Sequence, residues 1–339
     1  MPEVPIDQQN FVLACFAVNL IQGDNLLRIQ LRTDTVEHYL RAAAQLFTER
    51  KMKNPLDYKE GKGYTNTVIS ALRKYEEVPN RREPITDEMF YFMEEKTSNF
   101  KEGSKKLYPA VLDWLVLGRY TGFRKQEWCQ ENKTKYNVKE DHPDQPAIAL
   151  IADDMVFFDK EGRLLDPTRG RHQDPFRMDL KWRFQKNGDN GQSITYYRDL
   201  KNPTWCPVLA GWNIRQRAID LKVPPEEPVG QYEDEKGRIY LITSKDVCKI
   251  LQEAASVTLG TTDKNILAKW TLHSIQVTAC NELHRLKFQD SWIKMRLRWR
   301  SNAFMVYLRN TIHTARAHTA ALSISTSNLP RNYETTTHD

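Results

Sequence analysis

Residues 178–185 alternate in strict period two, and this limits what the chain can fold into more than any other feature. Met178, Leu180, Trp182 and Phe184 fall on one face, with Asp179, Lys181, Arg183 and Gln185 on the other. That is the pattern of a strand buried on one side. Asn187-Gly188 and Asn190-Gly191 follow at once. Asn-Gly favours a tight hairpin because both residues tolerate positive φ, so a returning strand is expected over Ser193–Tyr197. Ala147–Ile151 and Met155–Phe158 also read as strands, with Lys160-Glu161-Gly162 as a turn. Most other segments repeat apolar residues at spacings of three and four. The expected fold class is α+β, mostly helical, with a small antiparallel sheet set among helices.

The helical spacing begins early. Phe11–Ile21 is apolar, and Val36, Tyr39, Leu40, Ala43, Leu46 and Phe47 line one face of a helix over Thr35–Lys51, with Thr33-Asp34 as its expected cap. Val68, Leu72 and Tyr75 repeat the pattern. Glu76–Pro84 is polar, charged and holds two prolines, a linker signature. A chain of 339 residues with 40% hydrophobic residues suits two domains with real cores. The expected division is an all-α domain over 1–77, a linker over 78–85, a second domain over 86–322 and a flexible tail over 323–339. In the second domain helices are expected at Leu107–Cys129 (broken at Tyr120-Thr121-Gly122), Val208–Leu221, Ser244–Ala255, Ser274–Leu286, Trp292–Leu297 and from Asn302 to about Ala317.

The formal net charge is +6, which favours a polyanionic partner such as nucleic acid without proving one. Five scattered cysteines argue against a disulfide framework and match no zinc-ligand spacing. No apolar run is long enough to span a bilayer, and residues 1–8 lack the character of a signal peptide. An intracellular protein with no membrane partner and no metal site is the expectation.

Four short segments carry possible chemistry. Arg124 follows Thr121-Gly122-Phe123 at the end of an apolar helix, and its planar fork is suited to a phosphate. Glu127 could hold that region by capping or by pairing with a base. His273 opens a helix, with Gln276 on the same face three residues later. Lys186 sits at the mouth of the Asn-Gly hairpin, where an ammonium could reach a leaving oxygen. Tyr307 lies on a helix striped by Phe304, Leu308 and Ile312, just after Lys294, Arg296, Arg298 and Arg300 crowd around Trp299. Taken singly, each has a plain structural alternative. Arg124 also reads as a surface arginine after a helix break, and His273 as a helix-terminal histidine bonded to backbone. Lys186 also reads as a solvated turn lysine, with Lys181 as a rival, and Tyr307 as a core residue.

In order and spacing these segments resemble the tyrosine recombinase (phage integrase-like) family, nearest to recombinases of eukaryotic mobile elements of the Crypton and DIRS kinds. Thr121-Gly122-Phe123-Arg124-Lys125-Gln126-Glu127 is similar to the family's first-arginine box. Phe184-Gln185-Lys186-Asn187-Gly188 resembles the hairpin carrying its general-acid lysine, and Leu272-His273-Ser274-Ile275-Gln276 occupies its His-x-x-Arg box. The run from Arg298-Trp299-Arg300-Ser301 to Tyr307 resembles its terminal box, with tryptophan at the second-histidine position. His273 and Tyr307 stand 34 residues apart, about the family's interval.

The resemblance implies a helical DNA core-binding domain followed by a recombinase catalytic domain, a clamp on double-stranded DNA, and a homo-tetramer at work on two duplexes in the nucleus. It implies a site-specific recombinase or integrase of a mobile element, such as a transposon, acting in DNA recombination and DNA integration without metal or cofactor. Tyr307 would form a 3′-phosphotyrosine and Lys186 would protonate the leaving 5′-oxygen. His273, Trp299 and the arginine pair would steady the transition state, while Arg298, Arg300, Lys125 and Arg296 would contact DNA. The family's second arginine, however, falls at Gln276. Losing one preorganised donor costs roughly 100- to 1,000-fold in rate, so reduced activity is expected. The alternatives are a decayed DNA-binding protein using the same clamp and a type IB topoisomerase-like enzyme.

Overall fold

A computed structural model describes residues 4–25, 28–58, 63–76, 81–101, 103–129, 149–185, 188, 190–300 and 302–308. The chain divides into two compact units, Met1–Asn80 and Arg81–Asp339.

The first unit packs three helices, α1 (Ile6–Gln22), α2 (Thr33–Glu49) and α3 (Tyr64–Tyr75), around Leu13, Ala17, Leu20, Val36, Leu40 and Ile69. Asn10 is buried in α1 and uses both ends of its amide. It donates to the Pro55 carbonyl at 2.8 Å and accepts from the Thr65 N–H at 3.1 Å, which fixes α1 against the start of α3. The capping expected of Thr33-Asp34 falls elsewhere. Thr33 is the first helical residue of α2, and its N–H is taken by the Glu76 carboxylate from beyond the end of α3. That bond holds the Glu76 carboxyl below the usual range, helped by Arg32.

The second unit is built on α5 (Leu107–Thr121), whose Ala110, Val111, Trp114, Leu115, Val116 and Leu117 are all buried. Around it lie α4 (Asp87–Thr97), α7 (Pro207–Asp220), α8 (Ser244–Leu259) and α10 (His273–Arg285). Short helices α6 (Lys125–Trp128), α9 (Lys264–Leu267) and α11 (Asp290–Arg296), and a 3-10 turn at Asn302–Tyr307, complete the helical part. Thr86 caps α4, and Thr243 caps α8 in a reciprocal box with Asp246.

The expected sheet forms in order β1 (Met155–Phe158), β2 (Arg177–Lys181), β3 (Ser193–Tyr197), all antiparallel. Its register pairs Met155 with Leu180 and Leu180 with Ile194. Met155, Phe157, Met178, Leu180 and Tyr196 are buried, and Trp182 continues that face past β2. Gly211 lets the sheet close on α7, since a Cβ there would lie 2.4 Å from the Met178 sulfur. The molecule is α+β and mostly helical, as its periodicities require. A second pair, β4 (Gln231–Glu233) and β5 (Ile239–Leu241), was not expected. Ala149–Ile151 is no strand: Ile151 makes one isolated bridge to Pro228, which has no N–H to extend a ladder.

Residues 82–85, inside the stretch read as linker, are tied into the second unit. Arg82 donates to the Ala268 carbonyl at 2.6 Å, the Ile85 N–H to Thr278 Oγ1 at 2.7 Å, and the Trp270 indole to the Pro84 carbonyl at 3.1 Å. No helix among the described residues is long and apolar enough to cross a membrane.

Candidate active site

The first-arginine box is shaped by the end of α5. Gly122 closes the helix in the left-handed region at φ 58°, its N–H bonded to the Gly118 carbonyl at 2.8 Å. Glycine suits this position because it takes such a φ without strain, and an added Cβ would crowd Leu297 Cδ2 at 2.9 Å. The chain then turns through buried Phe123 to Arg124, the N-cap of α6. Glu127, at the third position of α6, reaches back with Oε2 to accept the Arg124 N–H at 2.8 Å, and Oε1 lies 3.4 Å from Arg124 Nη1. The Arg124 Nη2 donates to the Arg298 carbonyl at 2.9 Å across 174 residues of sequence. Its side chain keeps 19% exposure, enough to face a ligand from a fixed base.

Arg298 was read as a DNA contact, but it faces inward. Helix α11 ends at Arg296, and Arg298 takes φ 59°, a conformation that turns its side chain under the fold. The guanidinium lies 3.4 Å above the Trp182 ring, donates to the Thr121 carbonyl at 3.0 Å, and pairs with Glu127 Oε2 at 2.7 Å. The whole residue is 5% exposed. Burial works against its charge and Glu127 compensates. The same surroundings bury Tyr196, whose hydroxyl is pushed up to about 12 by desolvation.

His273, Trp299 and Tyr307 meet at the other side of that turn. His273, exposed at the start of α10, sets Nε2 2.9 Å from Tyr307 Oη. The Trp299 ring stacks on Tyr307 with centroids 5.0 Å apart and planes 28° apart, and on Phe304 at 5.9 Å. Asn281, two turns along α10, donates to the Tyr307 carbonyl at 2.7 Å. Asn281 and Trp182 were not singled out from sequence. A polar residue two turns after His273 on the same helix was a weak signal for the first, and the buried face of β2 for the second. Gln276 lies one turn from His273 and is buried at 4% exposure, bringing no charge.

The other residues with expected roles are dispersed. Arg296 docks α11 on the sheet, its guanidinium 4.9 Å from the Tyr196 ring and 3.4 Å from the Thr195 carbonyl. Arg300 and Lys125 are exposed. Lys186 lies outside the described residues, while Lys181 is exposed at the end of β2. Among the described residues, no group of three or more His, Cys, Asp or Glu is placed to hold a metal.

Chemically, the assembled residues offer a phenol hydrogen-bonded to an imidazole, an aromatic wall, and a partly exposed guanidinium. The guanidinium is tied to the main chain one residue before Trp299.

No family model and no curated protein matches the sequence. Among solved structures the chain is similar to the Tn1549 transposon integrase in complex with transposon right end DNA, at 14% identity and TM-score 0.47, covering 93% of this chain and 85% of that one. A structure of the same integrase with circular intermediate DNA gives 15% identity and TM-score 0.44, covering 94% and 87%.

Proposed function

We propose that this protein breaks and rejoins double-stranded DNA through a covalent phosphotyrosine. What carries the reading is the contact of Tyr307 Oη with His273 Nε2 at 2.9 Å, beside Trp299 and the Arg124-bearing box. A core tyrosine needs no imidazole at its hydroxyl, whereas a phenol that attacks phosphate is served by a base there. In the reaction, Tyr307 Oη attacks the phosphorus and its proton passes to His273. The bond from phosphorus to the 5′-oxygen breaks, and Lys186 protonates the released oxygen. Arg124 holds the charge that grows on the phosphoryl oxygens, and Trp299 walls the site. A 5′-hydroxyl from another strand reverses the step and reseals the DNA, which makes the protein a recombinase or integrase.

Gln276 makes this a slow enzyme, because the second-arginine position supplies no cation to the pentacoordinate phosphorus. Exposed Arg300 and Lys125 are proposed to contact the backbone of the duplex. The likeness of the terminal box to recombinases of eukaryotic mobile elements supports a nuclear mobile-element role for a homo-tetramer.

The test is covalent trapping on nicked duplexes drawn from a random-sequence library, read as SDS-resistant adducts for wild type, Gln276→Arg and Tyr307→Phe. An adduct in wild type or in Gln276→Arg, absent from Tyr307→Phe, is expected, with the stronger signal from Gln276→Arg. No adduct from either, with DNA binding intact, favours the second reading of a decayed DNA-binding protein; the neutral buried Gln276 is the observation behind that alternative. Plasmid relaxation without a preferred site would mark a type IB topoisomerase-like activity.

A further inference from the structure

The carboxylate of Glu127 is shared between two guanidinium groups, and the shares are unequal. Oε2 takes Arg298 Nη2 at 2.7 Å and the Arg124 main-chain N–H at 2.8 Å, whereas the Arg124 guanidinium approaches only Oε1, at 3.4 Å. Arg298 is thus the principal counter-ion of a carboxylate that is itself 4% exposed. The same residue fixes Arg124 from the other side through its carbonyl. It does all this from a left-handed conformation that an arginine adopts only when its surroundings hold it there.

We propose that Arg298 is a positioning residue for Arg124: it absorbs the charge of Glu127, so that Arg124 remains a net cation available to a DNA phosphate. The inference rests on the reading of Arg124 as the phosphate-binding group of the proposed site. A buried carboxylate must find a cation. If the charge at position 298 is removed, Arg124 is the cation already beside Glu127, and it turns from the phosphate to the carboxylate. Gln276 sharpens the dependence, because its position supplies no second cation to keep the site positive.

The test is electrostatic and needs no turnover. Binding of a mixed-sequence duplex is followed by fluorescence anisotropy across a salt series, and the slope of log K against log[salt] is compared with and without Arg124→Ala. Each phosphate contact contributes about one unit to that slope. In the wild-type background Arg124→Ala is expected to lower the slope by about one. In Arg298→Met, which keeps an L side chain at the strained position and an apolar stem on Trp182, Arg124→Ala is expected to change nothing. In the double variant Arg298→Met/Glu127→Gln the loss of about one unit is expected to return, because no carboxylate remains to capture Arg124.

Equal losses in all three backgrounds overturn the proposal, as does an unchanged slope in the wild-type background. If Arg298→Met fails to fold, Arg298→Gln, which still donates to Glu127 but carries no charge, is read in the same way. Failure of covalent trapping with this coupling intact would remove the chemistry and leave the positioning role. Trapping without the coupling would do the reverse.

Discussion

Arg217 and Arg298 are both buried in the second unit and both bonded to a carboxylate, yet they are held in opposite ways. Arg217 stands in regular helix on α7 and reaches Asp113 on α5, with Asn213 on the same carboxylate and the Ser104 carbonyl on its Nε. Burial pushes the Asp113 carboxyl up and Arg217 pulls it down. That pair locks two helices, and its backbone is relaxed. Arg298 sits at φ 59° on a turn, stacked on Trp182, with its carbonyl committed to Arg124. The same ion-pair chemistry therefore serves packing in one place and a candidate site in the other. The strain lies with the site, where backbone strain is commonly retained.

Breaking the packing pair is expected to give the largest effect. Arg217→Met leaves Asp113 without its cation and should destabilise the second unit by about 3–5 kcal/mol, measured by urea unfolding of the full chain. Under conditions where the variant is folded, the contribution of Arg124 to DNA binding should be unchanged. If that contribution disappears as it does for Arg298→Met, the contrast between the pairs is lost.

A smaller cost is expected from Gly118→Ala, which separates packing beneath the site from charge within it. The added Cβ would lie 2.7 Å from Ile275 Cγ2 on the helix that carries His273. Overpacking of that kind costs roughly 1–3 kcal/mol, read as a fall in Tm. A neutral outcome would mean that the Ile275 side chain gives way to the added methyl.

The capping carboxylate of the first unit supplies a pH-dependent control. Glu76→Gln should cost about 1 kcal/mol at neutral pH, the worth of an N-terminal cap. The folded carboxyl is held below its unfolded value, so its contribution is full above the unfolded pKa, about 4.3, and is lost as pH falls through the folded value. Wild type and variant should therefore converge in thermal melts as pH drops from about 5 towards 3. A constant gap would assign the effect to something other than the charge.

The smallest effect concerns strain alone. Lys222, two residues past the end of α7, takes φ 54° and is exposed, so Lys222→Gly should stabilise by a few tenths to about 1 kcal/mol. Arg298→Gly relieves the same kind of strain and should nevertheless destabilise. Two gains, or two losses, would show that the left-handed conformation is not what distinguishes the two positions.

Much of this architecture was legible because its determinants are local. The β2 strand follows from alternation at 178–185 and its partner from the Asn-Gly steps. The turn at Gly122 that presents Arg124 is a short-range pattern. What was not legible depends on partners far along the chain. Arg298 looked like one more DNA-contacting member of the basic run from Lys294 to Arg300, because its carboxylate is 171 residues away. The cap of α2 comes from Glu76, 43 residues on, and no reading of Thr33-Asp34 could supply it. The β4–β5 pair was missed because three residues such as Gln231-Tyr232-Glu233 are too few to show a period.

Among the described residues the apolar ground under Tyr307 is small. Phe304, Leu297, Ile293, Ala279 and Cys280 form a cluster of their own, distinct from the large core around α5. A cluster smaller than the main core is expected to open at lower free energy than that core. Amide hydrogens of the 302–308 turn should therefore exchange with solvent faster than those of α5. Such an opening would part Tyr307 from Trp299 without unfolding the rest of the second unit.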